Sequence, residues 1–202
     1  MLTIPRSNVW GFQYAILGMR NPLNSWQKSD SDFSRDVIGE KDMELCKKLI
    51  ASGSEHRKFL RMIHVQVDVN APLYWWKEYD TYKVGTVANS CSTMHTIHKY
   101  AFSSWMFSSE HLESEESKEL FEKTIDTLNL LRVRYLSTKD KETWYEMIQL
   151  LPSSFMQIRT LDLNYETLIT MYNQRKNHKL HEWYIFCSWI TTLPYMKEFL
   201  DA

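Results

Sequence analysis

Glycine and proline are scarce in this chain, with five of each in 202 residues. A barrel or sandwich of short strands needs many tight turns, so the scarcity points to helices. Cysteine is scarcer still. Cys46, Cys91 and Cys187 lie far apart with no Cys-x-x-Cys, which excludes a disulfide framework and a thiolate zinc site and suits a reducing cytoplasm. No excess of one charge exists: 24 Lys and Arg face 25 Asp and Glu, for a net charge of −1. A broad basic footprint for nucleic acid or a membrane surface is therefore missing. No stretch approaches about 18 apolar residues, so no membrane span is expected. Met1 to Arg20 lacks the unbroken apolar core of a signal peptide, and a cytoplasmic location is expected. The phosphate-cradling patterns G-x-G-x-x-G and G-x-x-x-x-G-K-[ST] do not occur, which disfavours ordinary dinucleotide and P-loop enzymes.

Metal and thiol chemistry have little support. His95 and His98 stand three apart and would share one face of a helix. Zinc needs at least a third ligand, and no H-E-x-x-H pattern is present, so no metal site is predicted. Cys91 has no base beside it in sequence and is not read as a nucleophile.

What the chain does have is aromatic side chains. They make up 14% of it, including 8 Trp and 11 Tyr. Rings in that quantity build either a core and subunit interfaces or flat surfaces for planar ligands, and composition does not choose. With 44% hydrophobic residues the chain can bury a sizeable core.

Periodicity organises the rest. Val9 to Leu17 is an apolar, aromatic patch, followed by a polar loop from Asn24 to Arg35. Met43, Leu45, Cys46, Leu49 and Ile50 give Lys41 to Ala51 a helical stripe, with Gly53 as the stop. Phe59, Leu60 and Ile63 mark a second, short helix. Ile63 to Val69 alternates apolar and polar residues without a fault, which predicts a strand with one buried face. Pro72 then opens an aromatic helix over Leu73 to Tyr82. Val84 to Ser92 reads as a loop. The acidic stretch Ser109 to Ser117 leads into a long helix with Leu120, Phe121, Ile125, Leu128, Leu131 and Tyr135 on its stripe. A helix over Lys141 to Leu151 stops before Pro152. Gln157 to Leu163 reads as a strand, Asn164 to Arg175 as a helix capped by Asn164, and Leu180 to Thr192 as another. A short helix follows Pro194. The sequence therefore predicts one α+β domain over residues 1–202, mostly helical with a small mixed sheet.

Two clusters remain as candidate sites. One is Pro72 to Lys83 with the following segment to His95. The other is Pro152 to Trp183, in which Asn164, Arg175, His178, His181 and Glu182 lie on adjoining helices. The Arg175 guanidinium can grip a phosphate or carboxylate bidentately. It can equally pair with Glu182 at the helix junction. Trp75, Trp76, Tyr79 and Tyr82 can face a planar ligand, or line a core or subunit interface.

In this order the clusters resemble the flavin-dependent thymidylate synthase family, ThyX. The anchors are a short helix with a histidine (Ser54-Glu55-His56), a strand ending in Ala71-Pro72, and Leu151-Pro152 closing a helix. They continue with an asparagine opening a helix that ends in arginine (Asn164 to Arg175), and loosely with Leu180-His181-Glu182-Trp183. The resemblance covers roughly residues 40–200. It implies a ThyX-like fold, a homotetramer, FAD as cofactor and a pyrimidine nucleotide such as dUMP as substrate. It places His56, Lys83, Asn89 and Asn164 at the cofactor, and Glu78, Ser92 and Arg175 at the nucleotide.

The chain also departs from the family pattern. The Arg-His-Arg triplet of the signature falls on Thr81-Tyr82-Lys83, and the glutamine before it on Glu78. The later part survives as Asn89-Ser90-Cys91-Ser92, followed by Thr93-Met94-His95 in place of the Arg-Tyr pair. A further family arginine falls on Ile148. The family methylates carbon five of dUMP with a folate methylene and a hydride from FAD. Its arginines stabilise charge on the uracil oxygens and hold the phosphate. Losing one preorganised charged donor costs about 3 kcal/mol of transition-state stabilisation, roughly a hundredfold in rate. Three readings follow: ThyX-type methylation of a nucleotide, a non-catalytic nucleotide- or protein-binding homologue on the same scaffold, and a flavoenzyme with another one-carbon donor or product.

Overall fold

The computed structural model describes residues 1–202. Chain order is β1 (Thr3–Trp10), α1 (Phe12–Gly18), α2 (Glu40–Ala51), β2 (His64–Pro72), α3 (Leu73–Tyr79), β3 (Val87–Ser90), α4 (Thr93–Thr96), α5 (Glu115–Thr138), α6 (Lys141–Leu150), β4 (Met156–Asn164), α7 (Tyr165–Arg175), α8 (His181–Ile190) and α9 (Met196–Leu200). Short 3-10 turns at Asn21–Leu23, Trp26–Lys28, Lys58–Met62 and Ser104–Met106 complete it. The strands form one sheet in the order β1-β2-β4-β3. The fold is α+β and mostly helical, as the sequence predicts, and its small sheet is antiparallel throughout rather than mixed.

Most predicted elements appear within a residue or two. β2 follows its alternation, with Val65, Val67 and Val69 at 1% exposure or less. Two differences stand out. The segment Val84 to Ser92, expected as a loop, contributes the edge strand β3, whose four residues are all exposed. An edge strand with no buried face has no alternation to betray it. The helix expected to reach Tyr82 stops at Tyr79, where Thr81 turns back so that its backbone N–H and its Oγ1 both donate to the Glu78 carbonyl.

The packing divides into two compact units. The first comprises Met1–Ile4, Val69–Thr81 and Asn89–Arg159. Its core is Ile97, Phe102, Phe107, Ile125, Leu128, Met147 and Phe155, against which Leu73, Phe121, Tyr135 and Trp144 pack. α5 and α6 lie against each other. Ser114 caps α5 by accepting from the Ser117 N–H. Asp140 caps α6, accepting from the backbone N–H and the hydroxyl of Thr143 at 2.9 and 2.8 Å. Trp75, Trp76 and Tyr79 are buried to 2% exposure or less and pack ring against ring, with centroids 4.9 to 5.4 Å apart. Of the two roles open to them, these three rings take the core.

The second unit comprises Pro5–Asp68, Tyr82–Ala88 and Thr160–Ala202. Its core gathers Ile16, Leu60, Val65, Leu163, Tyr165, Leu168, Trp183, Phe186 and Phe199. A buried ion pair ties its first part together: Arg20 Nε donates to Asp42 Oδ1 at 2.6 Å, and the hydroxyls of Ser29 and Ser31 both donate to Oδ2. Burial alone would raise the Asp42 carboxyl, but the two serines and the guanidinium more than offset it and hold it below the ordinary value.

Candidate functional site

α7 organises the candidate site in the second unit. Its N-terminus needs a cap, since the first backbone N–H groups of a helix have no partner inside it. Asn164 supplies one: its Oδ1 accepts from the Thr167 N–H at 3.0 Å and from the Thr167 hydroxyl at 3.2 Å. The cap predicted from sequence is present, and it commits the Asn164 carbonyl oxygen to structure. The Nδ2 end remains for a neighbour, and Gly85 comes close to it. A Cβ on Gly85 would stand 2.8 Å from Asn164 Nδ2 and 2.7 Å from Thr167 Oγ1, and Gly85 has φ +69°. Only glycine fits that approach without strain. The segment from Tyr82 to Gly85 therefore lies against α7, and Lys83 sits in its middle, exposed.

Arg175 ends the same helix, where the macrodipole favours a cation. It is half-buried and held from two sides. Its Nε donates to Tyr82 Oη at 2.9 Å, and Tyr82 Oη donates in turn to Gln174 Oε1 at 2.9 Å. Its Cζ lies 4.9 Å from the Trp183 ring centroid and 5.5 Å from that of Tyr82. Two aromatic faces and a hydroxyl fix the plane of the guanidinium, which reduces the entropy lost when it grips an anion. Around it the α7–α8 corner carries Lys176, His178, Lys179 and His181. His178 Nδ1 accepts from the Leu180 N–H at 3.1 Å, and the His178 ring packs edge-on to Trp183. Such a corner suits a dianion. Nearby on α8, burial pushes the Cys187 thiol up to about 11 although Arg175 pulls the other way.

His56, predicted at a cofactor, is exposed and lines a different feature of this unit. That feature is a cavity of about 330 Å³ with largely apolar walls, among them Met19, Leu23, Phe59 and Met62.

The other predicted residues belong to the first unit. Ser92 caps α4: its Oγ accepts from the His95 N–H at 3.4 Å and stands 2.7 Å from His95 Nδ1. Glu78 is half-buried on α3, and Asn89 is exposed on β3. Arg159, which sequence reasoning missed, organises this neighbourhood. It stacks on Trp76 at 4.2 Å, pairs with Asp80 at 2.7 Å and donates from Nε to Gln157 Oε1 at 2.9 Å. Gln157 Nε2 donates to the Cys91 carbonyl at 2.9 Å and to Thr93 Oγ1 at 3.2 Å. The segment around Ser92 is thus pinned to β4 through the Cys91 carbonyl and the Thr93 hydroxyl. A lone arginine between Ile158 and Thr160 in a strand gives no sequence signal for such a clamp.

His95 and His98 share no metal site with a third ligand: no group of three or more His, Cys, Asp or Glu side chains is placed to hold an ion. No helix is long and apolar enough to cross a membrane.

No family model matches the sequence, and no curated protein sequence does either. Solved structures do match. The flavin-dependent thymidylate synthase ThyX from Helicobacter pylori, complexed with FAD and dUMP, aligns with a TM-score of 0.69 at 15% identity, over 98% of this chain and 96% of that one. A second structure of thymidylate synthase X from the same organism, also with FAD and dUMP, gives 0.70 at 16% identity, over 99% and 96%. The UMP/dUMP methylase PolB from Streptomyces cacaoi, bound with 5-Br dUMP, gives 0.62 at 11% identity, over 100% and 94%. The chain has the ThyX-like fold.

Proposed function

We propose that this chain binds a pyrimidine nucleotide and FAD and methylates the nucleotide base in a ThyX-type reaction, with dUMP as the model substrate. The observation that carries the reading is the setting of Arg175. It ends α7, lies over Trp183 and is bonded to Tyr82, and it occupies the position that the resemblance gives to a nucleotide ligand. Proteins of the same fold are known with dUMP or 5-Br dUMP bound.

In this reading Arg175 binds the nucleotide phosphate. Ser92 and Glu78 are assigned to the nucleotide as well, and His56, Lys83, Asn89 and Asn164 to the cofactor, each by the resemblance. The residues fit FAD in one respect: His56 lines an apolar cavity of about 330 Å³, which can take a planar part of such a molecule. When bound, FAD supplies the hydride that completes the methyl group. Asn164 contributes only through Nδ2, since its Oδ1 caps α7. Tyr82 stands where the family has a histidine and acts here by orienting the Arg175 guanidinium.

A second reading, a nucleotide binder without redox chemistry, is favoured by Thr81, Met94 and Ile148 at family arginine positions. Titration with dUMP tests the reading shared by both. It expects saturable binding that weakens at least about tenfold in Arg175→Ala. Unchanged affinity would overturn the assignment of Arg175. Incubation with dUMP, methylene-folate, FAD and NADPH separates the two readings: a methylated nucleotide supports the enzyme, and binding without product supports the second.

A further inference from the structure

The second unit holds a further cavity of about 450 Å³, and nothing in the proposed reaction uses it. Its walls include five aromatic rings, Trp10, Phe12, Tyr14, Phe33 and Tyr195, and one ionisable acid, Asp36; no lysine, arginine or histidine lines it.

Its backbone is unusual too. Gly11, Asp36 and Tyr195 all line the cavity and all adopt left-handed φ values, +101°, +55° and +58°. For the two non-glycine residues that conformation is costly and persists only where the surroundings impose it. Here they impose it through one side chain. Tyr195 Oη donates to the Asp36 carbonyl at 2.8 Å and accepts from the Ile38 N–H at 3.0 Å, which locks the turn that carries Asp36 to the helix turn that carries Tyr195. The rings are braced in the same way. Phe12 packs edge-on between Tyr165 and Tyr195, each 5.6 Å away, and Trp10 is stacked on His64 at 5.7 Å. Yet Tyr14 is 73% exposed and Trp10 38% exposed. Trp10, braced by His64, and the open Tyr14 ring stand beside a single carboxylate, and neither is needed to close a core.

We propose that this cavity is a binding site for a small organic cation, of the quaternary or alkylated ammonium class. Aromatic faces carry negative quadrupole density and attract a cation that is weakly hydrated. Asp36 supplies the compensating charge, and no lysine, arginine or histidine lines the cavity to compete for it. A neutral apolar molecule would use the rings but not the carboxylate. A hydrated metal ion would use the carboxylate but not the rings.

The test is titration of the whole protein with benzyltrimethylammonium, followed by tryptophan fluorescence and calorimetry. Its uncharged carbon isostere, neopentylbenzene, serves as the control. The proposal expects saturation in about the millimolar range or tighter for the cation, and at least about tenfold weaker binding for the neutral partner. Asp36→Asn should weaken the cation about tenfold and leave the neutral molecule unchanged. Asparagine tolerates a left-handed φ, and the bond from Tyr195 reaches the backbone of residue 36, so this variant keeps the turn. Equal binding of cation and isostere would overturn the proposal and leave an apolar cleft. So would an unchanged cation affinity in Asp36→Asn, or no saturation by about 50 mM.

Discussion

Arg175 Nε donates to Tyr82 Oη at 2.9 Å across 93 residues of sequence. The bond joins the last turn of α7 to the residue that the resemblance places in the middle of the altered Arg-His-Arg triplet. It gives Tyr82 a positioning role: a hydroxyl that aims a guanidinium. Removing that hydroxyl in Tyr82→Phe should weaken dUMP binding about tenfold, the usual worth of one hydrogen bond to a charged group. The ring and its packing against Trp183 remain, so the melting temperature should stay close to that of the parent. Calorimetric titration beside a thermal melt checks both halves.

Gly85 and Gly53 make a matched pair for backbone strain. Both have positive φ, +69° and +105°. A Cβ on Gly85 meets Thr167 and Asn164 inside 3 Å, whereas one on Gly53 meets nothing within 4 Å. Gly53→Ala should therefore cost about 1 kcal/mol from φ alone, and Gly85→Ala about 2–3 kcal/mol from φ and collision together. Urea unfolding of the two variants reads the difference. Because the collision falls on the α7 cap, Gly85→Ala should also disturb Lys83 and Asn164 and with them FAD binding.

Much of this architecture was legible in the sequence, and the exceptions have physical causes. β2 announced itself because one of its faces is buried, which forces alternation. α7 announced its start because Asn164 must cap it. β1, over Thr3–Trp10, went unread: six of its eight residues are exposed, so no period-two pattern is imposed on them. β3 was read as a loop for the same reason. At the site, Arg175 could be singled out by its chemistry alone, but its partners Tyr82 and Trp183 come together only through the fold. The Arg159–Gln157 clamp on Cys91 and Thr93 was invisible for that reason as well.

Asp42 should make the protein acid-sensitive in a definite direction. Its carboxyl is held below the ordinary value of 3.8 in the folded state. Its contribution to stability is therefore complete above that value and is lost as the pH falls through the lowered native one. Asp42→Asn leaves Arg20 buried without its charge partner and should cost about 3 kcal/mol near neutral pH, with a smaller loss of stability on acidification than the parent shows. Urea titrations at neutral and acid pH report both changes.

The cysteines should separate cleanly by reactivity. Cys91 is exposed, while Cys46 and Cys187 are buried. Burial pushes the Cys46 thiol up to about 12 and the Cys187 thiol up to about 11. A disulfide reagent near neutral pH should titrate one thiol in the native protein and three after unfolding. Cys91→Ser should abolish the native reaction. Arg159→Ala, which releases Gln157 from one side, should make Cys91 react faster, because the Gln157 bond to its carbonyl holds that segment to β4.

The proposed methylation depends above all on a flavin. The most direct test is the visible absorbance of the purified protein before and after addition of FAD, followed by gel filtration to remove what is unbound. A flavin spectrum that stays with the protein, and that His56→Ala diminishes, is the predicted result. A colourless protein that takes up no FAD at high concentration would contradict the proposed reaction and leave only the ThyX-like scaffold.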